Sequence, residues 1–187
     1  MSRSFKSGSF SLFSLMIITG LILISCERKL PVIPKSDLLT LPSLTARGVQ
    51  TILNDSGRIQ LIMNSPLIEQ YDKADPPYSE FREGIKVDVY NGKPNPEAKV
   101  TAKYGKCTRN NLWELRDSVV VINEKNEKLE TELLFWNQEK DHIYTDRFVK
   151  ITSEDEIIQG IGFESDSHLL SRKILKVTAE ITMPDEK

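Results

Sequence analysis

The sequence predicts an all-β protein built from antiparallel strands. After residue 58, apolar residues recur at every second position over most of the chain, which is typical of strands buried on one face. Polar turn segments interrupt this pattern at 91–96, 123–128, 137–141 and 153–156, the last three about 15 residues apart. No convincing amphipathic helix lies between them, which disfavours parallel strands, since those need long crossovers.

The chain starts with a basic and then an apolar segment. Arg3 and Lys6 precede a run from Ser7 to Cys26 that contains no charged residue. This order is typical of a secretory signal peptide. The run only just reaches the length of about 20 apolar residues that crosses a bilayer. A cleaved signal and a retained helix both stay open, and both place the rest of the chain outside the cytoplasm at a membrane.

Residues 23–26, Leu-Ile-Ser-Cys, are similar to the lipobox of bacterial lipoproteins, in which the cysteine is lipidated after cleavage before it. This favours residues 1–25 as a lipoprotein signal peptide, with Cys26 as the lipidated residue, over a retained anchor. Residues 26–45 contain three prolines and no sustained period, so we interpret them as a linker. Residues 46–183 are the predicted folded domain, and 184–187 form a tail.

Seven segments are predicted as strands with one apolar face. In chain order, their apolar residues are Ile59, Leu61 and Met63; Ile85, Val87 and Val89; Leu115, Val119 and Val121; Leu133 and Phe135; Ile143, Val149 and Ile151; Ile157, Ile161 and Phe163; and Leu175, Val177 and Ile181. Antiparallel hairpins of this kind form a sandwich, a closed barrel or a solenoid-like structure whose two walls fold over one interior. The alternation alone leaves these architectures open.

The composition argues against several classes of function. With 25 basic and 27 acidic residues, the net charge is −2, so no basic face for nucleic acid is expected. Cys107 has no disulfide partner if Cys26 carries lipid, and we interpret it as a small buried hydrophobe. His142 and His168 lack the ligand spacing of a zinc site. Without a phosphate-binding loop or an activated nucleophile, the sequence predicts no enzyme, metal or cofactor.

Three stretches resemble a known family in their order and spacing. They are "NDSGRIQLIMNSPLIEQYD" at 54–72, "YSEFREGIKVDVYN" at 78–91 and "IQGIGFESD" at 158–166. The chain resembles the LptC family, the periplasmic component of the lipopolysaccharide export machinery that is anchored at the inner membrane. The strands between these stretches are similar to the repeat that the family shares with the bridge protein LptA. The likeness runs from about Arg47 to Ile181, whereas the lipobox departs from the uncleaved helix of well-known members.

The resemblance implies a fold and a ligand. The family fold is an antiparallel, folded-over β-jellyroll, also called a β-taco, whose apolar groove holds the acyl chains of lipopolysaccharide. In this chain, the resemblance implies a groove lined by Leu115, Val119, Val121, Leu133, Phe135, Ile143, Val149, Ile151, Ile157, Ile161 and Phe163. For Gly160 and Gly162 we expect a structural role, relieving crowding or forming a bulge in their strand.

The resemblance also implies a direction of transport. Lipopolysaccharide would arrive from the jellyroll domains of an ABC transporter's membrane subunits at the N-terminal edge, near residues 47–63. It would pass to an LptA-like bridge protein at the C-terminal edge, near 174–181, by strand addition. The alternative is a membrane-anchored β-sandwich lipoprotein that docks another envelope protein without carrying lipid, because an alternating apolar face is also an ordinary sandwich core.

Overall fold

The computed structural model of the chain describes residues 40–109, 111–166 and 171–182. Within these ranges, eleven strands join into one antiparallel sheet, which confirms the predicted all-β class. The strands are β1 (Leu44–Asp55), β2 (Arg58–Tyr71), β3 (Tyr78–Phe81), β4 (Ile85–Val89), β5 (Ala98–Ala102), β6 (Tyr104–Thr108), β7 (Leu112–Asn123), β8 (Lys128–Asn137), β9 (His142–Thr152), β10 (Glu156–Ser165) and β11 (Lys173–Thr182).

The strands lie in space in the order of the sequence. β3 and β4 both pair with β2, so they act as one strand that is interrupted before Ile85. β5 and β6 are likewise two parts of one strand, interrupted at Lys103, and both pair with β7. The sheet is therefore a meander, and in the described residues β1 and β11 are its edges.

The long strands bend in the middle, so that the single sheet folds over into two walls. β2 and β7 show this directly. The first half of β2 pairs with β4 and its second half with β3, and the first half of β7 pairs with β6 and its second half with β5. We call the half that contains β4 and β5 the first wall and the half that contains β3 and β6 the second wall. Both walls continue through the corresponding halves of β7 to β10, as expected for a folded-over antiparallel β-jellyroll.

The walls meet along a bend line where the pairing of successive strands is interrupted. Between β7 and β10 the pairing skips Asp117, Ser118, Glu132, Asp146, Arg147 and Gly162. Asp117 and Ser118 have positive φ angles of 63° and 55°, and Gly162 has a φ of 80°. Extra residues of this kind interrupt the ladder and bend a strand, so they allow each strand to leave one wall and enter the other.

Buried hydroxyl groups lie beside the bend line and bind backbone groups there. Ser65 Oγ lies 2.8 Å from the carbonyl oxygen of Leu67 and 2.8 Å from that of Gly84. Thr131 Oγ1 donates a hydrogen bond of 2.9 Å to the carbonyl oxygen of Phe148. Because a buried carbonyl without a partner is destabilising, these side chains replace hydrogen bonds that the interrupted ladder does not supply.

The interior beside the bend line is closely packed. Val119 is 1% exposed, and Val149 and Phe163 are fully buried. The buried Thr145 belongs to the same region, where its Oγ1 accepts a hydrogen bond of 3.1 Å from the backbone N–H of Arg147. Val119, Val149 and Phe163 belong to one hydrophobic core, so packing closes the interior beside the bend line.

Four of the strands were not predicted from the sequence: β1, β3, β5 and β6. β1 begins at Leu44, inside the predicted linker, and pairs with β2 as far as Asp55. Its apolar residues do not alternate, so the periodicity gave no sign of a strand. The predicted signal peptide, Cys26, His168 and the tail at 184–187 lie outside the described residues.

Replacing Thr131 by valine tests the role of the hydroxyl groups. Valine keeps the shape of threonine but leaves the Phe148 carbonyl without its partner, so we expect the free energy of unfolding to fall by about 1–3 kcal/mol. Urea denaturation measures this loss, with Thr101→Val at an exposed position of β5 as the matched control. Equal stability of the two variants would contradict the assigned role.

Candidate functional site

An apolar cavity of about 290 Å³ lies between the two walls. Its first-wall lining includes Leu61, Met63, Val87, Val89 and Val100, and its second-wall lining includes Trp113, Leu115, Leu134, Trp136 and Ile143. In the part of the chain that the structure describes, no charged side chain lines it. Such a surface suits a hydrocarbon ligand, because it removes apolar area from water without burying a charge.

Three amide side chains form the polar rim of the cavity: Gln60, Asn91 and Gln138. Gln60 lies near the start of β2, and Asn91 and Gln138 lie in the turns that follow β4 and β8. The rim is therefore at the strand ends, on the side away from the bend line. Asn91 is held by a hydrogen bond of 2.7 Å from its Nδ2 to Glu97 Oε2.

Seven of the residues proposed for the groove face the interior: Leu115, Val119, Val121, Ile143, Val149, Ile151 and Phe163. Of these, Leu115, Val121 and Ile143 line the cavity. The other four pack in the core outside its lining. The structure thus divides the proposed set into a cavity wall and a closed core.

Leu133 and Phe135 lie on the outer face of the sheet. The residue that faces inward in this part of β8 is Leu134, which is 2% exposed and pairs with Leu115. The cause is the extra residue in β8 at the bend line, because one inserted residue moves every following side chain to the opposite face. Phe135 instead stacks on Tyr144, with ring centroids 5.2 Å apart.

Ile157 and Ile161 also lie on the outer face. Ile161 is 46% exposed and pairs with Phe148, which is itself 51% exposed. The positive φ of Gly162 changes the alternation, so that Phe163 returns to the interior.

Neighbouring β11 leaves no space for a side chain at the two glycines of β10. A Cβ atom added at Gly160 would lie 2.4 Å from Ile174 Cγ2 and 2.5 Å from the carbonyl oxygen of Lys176. One added at Gly162 would lie 2.8 Å from Leu175 Cδ1, on a backbone that L side chains rarely adopt. Both positions therefore accommodate glycine best.

Sequence reasoning missed several residues of the cavity. Trp113 and Trp136 form a cross-strand pair on the second wall, and Trp113 also stacks on Phe81 at 5.7 Å. Their large apolar side chains near strand ends were the available signal. Leu61 and Met63 were recognised as strand residues, but only the folding-over of the sheet brings them opposite the tryptophans.

A cluster of charged and aromatic groups lies on the outer face of the second wall. Glu80 accepts hydrogen bonds from Tyr104 Oη at 2.6 Å and from Arg82 Nε at 2.9 Å. Burial raises the pKa of Tyr104 to about 12, and the hydrogen bond to Glu80 acts in the same direction. Arg116 lies over the Tyr104 ring at 3.9 Å. These groups stabilise the exterior of the sheet and leave the interior apolar.

The described residues contain no group of three His, Cys, Asp or Glu side chains that would hold a metal ion. His142 stacks on Tyr144 at 5.1 Å. Cys107 is half-buried in the core, and burial raises the pKa of its thiol to about 11. A thiol with a raised pKa is a poor nucleophile because the reactive thiolate is scarce at neutral pH.

The two edges of the sheet expose both backbone groups and apolar side chains. β1 carries the exposed Leu44, Ile52 and Leu53, and β11 carries the exposed Leu175, Val177 and Ile181. Residues 58–63 of the proposed N-terminal edge belong to β2, which β1 covers. No helix in the described ranges has the length and apolarity to span a membrane.

Comparison with known proteins gives one family. The family model described as LptC, lipopolysaccharide-assembly, LptC-related, matches residues 13–179. No curated protein matches the chain.

Replacing Leu133 and Leu134 separately by alanine tests the change of alternation in β8. Leu134→Ala removes a fully buried side chain, so we expect a loss of about 2–5 kcal/mol in the free energy of unfolding. Leu133→Ala, its matched neighbour on the outer face, is expected to lose much less. Chemical denaturation measures both, and a larger loss for Leu133→Ala would show that β8 has the opposite register.

Proposed function

The chain belongs to the LptC family, and from this premise we propose that it carries acyl chains of lipopolysaccharide between its two walls. Membership in this family implies a role in lipopolysaccharide transport. The members of the family are transport components and are not known as enzymes. LptC proteins are periplasmic and anchored at the inner membrane. What the family alone leaves open is how this chain holds and transfers its cargo.

The apolar cavity between the walls is the observation that carries the proposal. A lipid that crosses an aqueous compartment exposes its acyl chains, and each methylene removed from water contributes roughly 0.8 kcal/mol. The uncharged lining provides this burial for the chains, while the polar rim at the strand ends allows sugars to stay in water.

The volume of the cavity limits what the protein holds at one time. At about 290 Å³, the cavity lies at the lower end of the range for small-molecule pockets, roughly 300–1,000 Å³. It is therefore suited to one acyl segment rather than to a lipid with many chains. A larger load requires the walls to separate at the strand ends, because the bend line is closed by direct packing.

The free edges support a route for transfer. We assign reception of cargo from the membrane subunits of an ABC transporter to the edge formed by β1, and delivery to an LptA-like bridge protein to the edge formed by β11. Unpaired backbone groups on an edge strand pair readily with a strand of a similar protein. The exposed apolar residues of both strands would become buried in such a joint. ATP hydrolysis belongs to the transporter.

Photo-crosslinking from neighbouring positions of β2 tests this function. Met63 lines the cavity, whereas Ile62 faces the other side of the same strand. With a photoreactive amino acid at each position in turn, we expect an ATP-dependent lipopolysaccharide adduct from Met63 and none from Ile62. Adducts are detected by immunoblotting of illuminated membranes. Absence of an adduct from Met63 in a folded protein would favour the docking lipoprotein without lipid cargo.

For the anchor we propose cleavage before Cys26 and lipidation of its thiol, because a lipobox-like sequence ends the apolar run. Mass spectrometry of the N-terminal peptide is expected to find Cys26 at the N-terminus with a diacylglycerol group. A Cys26→Ala variant is expected to lose this modification and keep an uncleaved N-terminus. An intact Met1 terminus in the unmodified protein would instead show a retained helix.

A further inference from the structure

Three buried side-chain polar atoms in the described residues have no hydrogen-bond partner: Trp113 Nε1, Trp136 Nε1 and Ser165 Oγ. They lie in one row across four neighbouring strands. Trp113 is opposite Trp136, Trp136 is opposite Ile143, and Ile143 is opposite Ser165. We call Trp113, Trp136 and Ser165 the donor row.

The donor row is unusual because buried polar groups in folded proteins are almost always paired. Elsewhere in this interior the rule holds, since the hydroxyls of Ser65 and Thr131 both have backbone partners. The donor row departs from it on the second wall, where Trp113, Trp136 and Ile143 line the cavity. Trp113 and Trp136 thus lie beside the space where the cargo is proposed to lie, and Ser165 continues their row behind the lining residue Ile143.

We propose that the donor row binds the neutral oxygen atoms of acyl chains, namely ester or amide carbonyls and chain hydroxyls, and thereby fixes how deeply each chain enters the cavity. This inference rests on the proposed function and names the part of the cargo that the second wall recognises. Indole N–H groups are donors only, so they require an acceptor, and Ser165 donates or accepts. A phosphate is disfavoured, because no cationic side chain lines the cavity.

The position of the row suits this role. Trp113 and Trp136 are one residue from the ends of β7 and β8, next to the polar rim at Gln138. An acyl chain that enters from the rim with its methyl end first is followed by its carbonyl group. When the chain is fully inserted, the carbonyl group lies near the rim, beside the two tryptophans. The three atoms are inaccessible to solvent in the closed structure, so an acceptor reaches them as the walls separate. Binding then supplies the hydrogen bonds that the closed interior lacks.

Two soluble probes with the same apolar chain length test the proposal. Sucrose monolaurate joins an undecyl chain to its disaccharide through an ester carbonyl, whereas undecyl maltoside joins the same undecyl chain to a disaccharide without a carbonyl. The full chain in lipid nanodiscs is titrated with each probe below its micellar concentration by calorimetry, and empty nanodiscs are subtracted. The variants are Trp113→Phe with Trp136→Phe, and Ser165→Ala, with Phe135→Leu on the outer face as the control.

We expect the unmodified protein and the Phe135→Leu control to bind the ester probe about three- to tenfold more tightly than the probe without a carbonyl, the effect of one hydrogen bond. The double tryptophan variant should lose this preference and still bind both probes, and Ser165→Ala should reduce it. The thermal unfolding midpoint of Ser165→Ala should not fall as it would on the loss of a hydrogen bond, because no hydrogen bond within the protein is removed.

Equal binding of both probes by the unmodified protein would overturn the donor row and leave the apolar cavity in place. A preference that persists in the double tryptophan variant would also overturn it, because the indole N–H groups would then serve only packing. If neither probe binds the unmodified protein, the proposed function fails together with the donor row. The outcomes therefore separate the two claims.

Discussion

The fold depends on one constraint on the backbone. Each long strand passes from one wall to the other, and its buried N–H and C=O groups must stay hydrogen-bonded where it crosses. A continuous ladder would satisfy those groups but would keep the sheet flat. At the bend line the ladder is interrupted, and buried hydroxyls such as those of Ser65, Thr131 and Thr145 bind nearby backbone groups. Because the bends are aligned across neighbouring strands, the whole sheet folds along one line and encloses a shared interior.

This alignment produces a gradient of packing from the bend line to the strand ends. Val119, Val149 and Phe163 are buried beside the bend line, whereas the cavity extends to the polar rim at the strand ends. Charged side chains such as Glu80 and Arg82 are paired on the outer face. The closed core at the bend line and the apolar cavity near the strand ends are therefore different regions of the interior. A ligand can enter the cavity without disturbing the closed core.

Local alternation was enough to predict seven of the eleven strands, the turns and most inward positions, because a period of two holds wherever the ladder is regular. It failed at Leu133 and Ile161, since residues inserted at the bend line change the face of every side chain that follows. β1 was missed because its stability comes from pairing with β2 rather than from an apolar face of its own. The tryptophans of the cavity were recognisable as large apolar side chains near strand ends, but which side chains they face across the interior depends on how the sheet folds over, and no local pattern contains that information.

The meander has a consequence for how such a protein changes length. Every strand pairs only with its neighbours along the meander, if β3 with β4 and β5 with β6 are each counted as one interrupted strand, so the hydrogen-bonding pattern resembles that of a repeat array. Inserting one more bent hairpin would leave every existing strand order unchanged and lengthen the interior by two strand spacings, roughly 10 Å. The length of the groove can thus change in steps of one hairpin while the order of the existing strands stays the same.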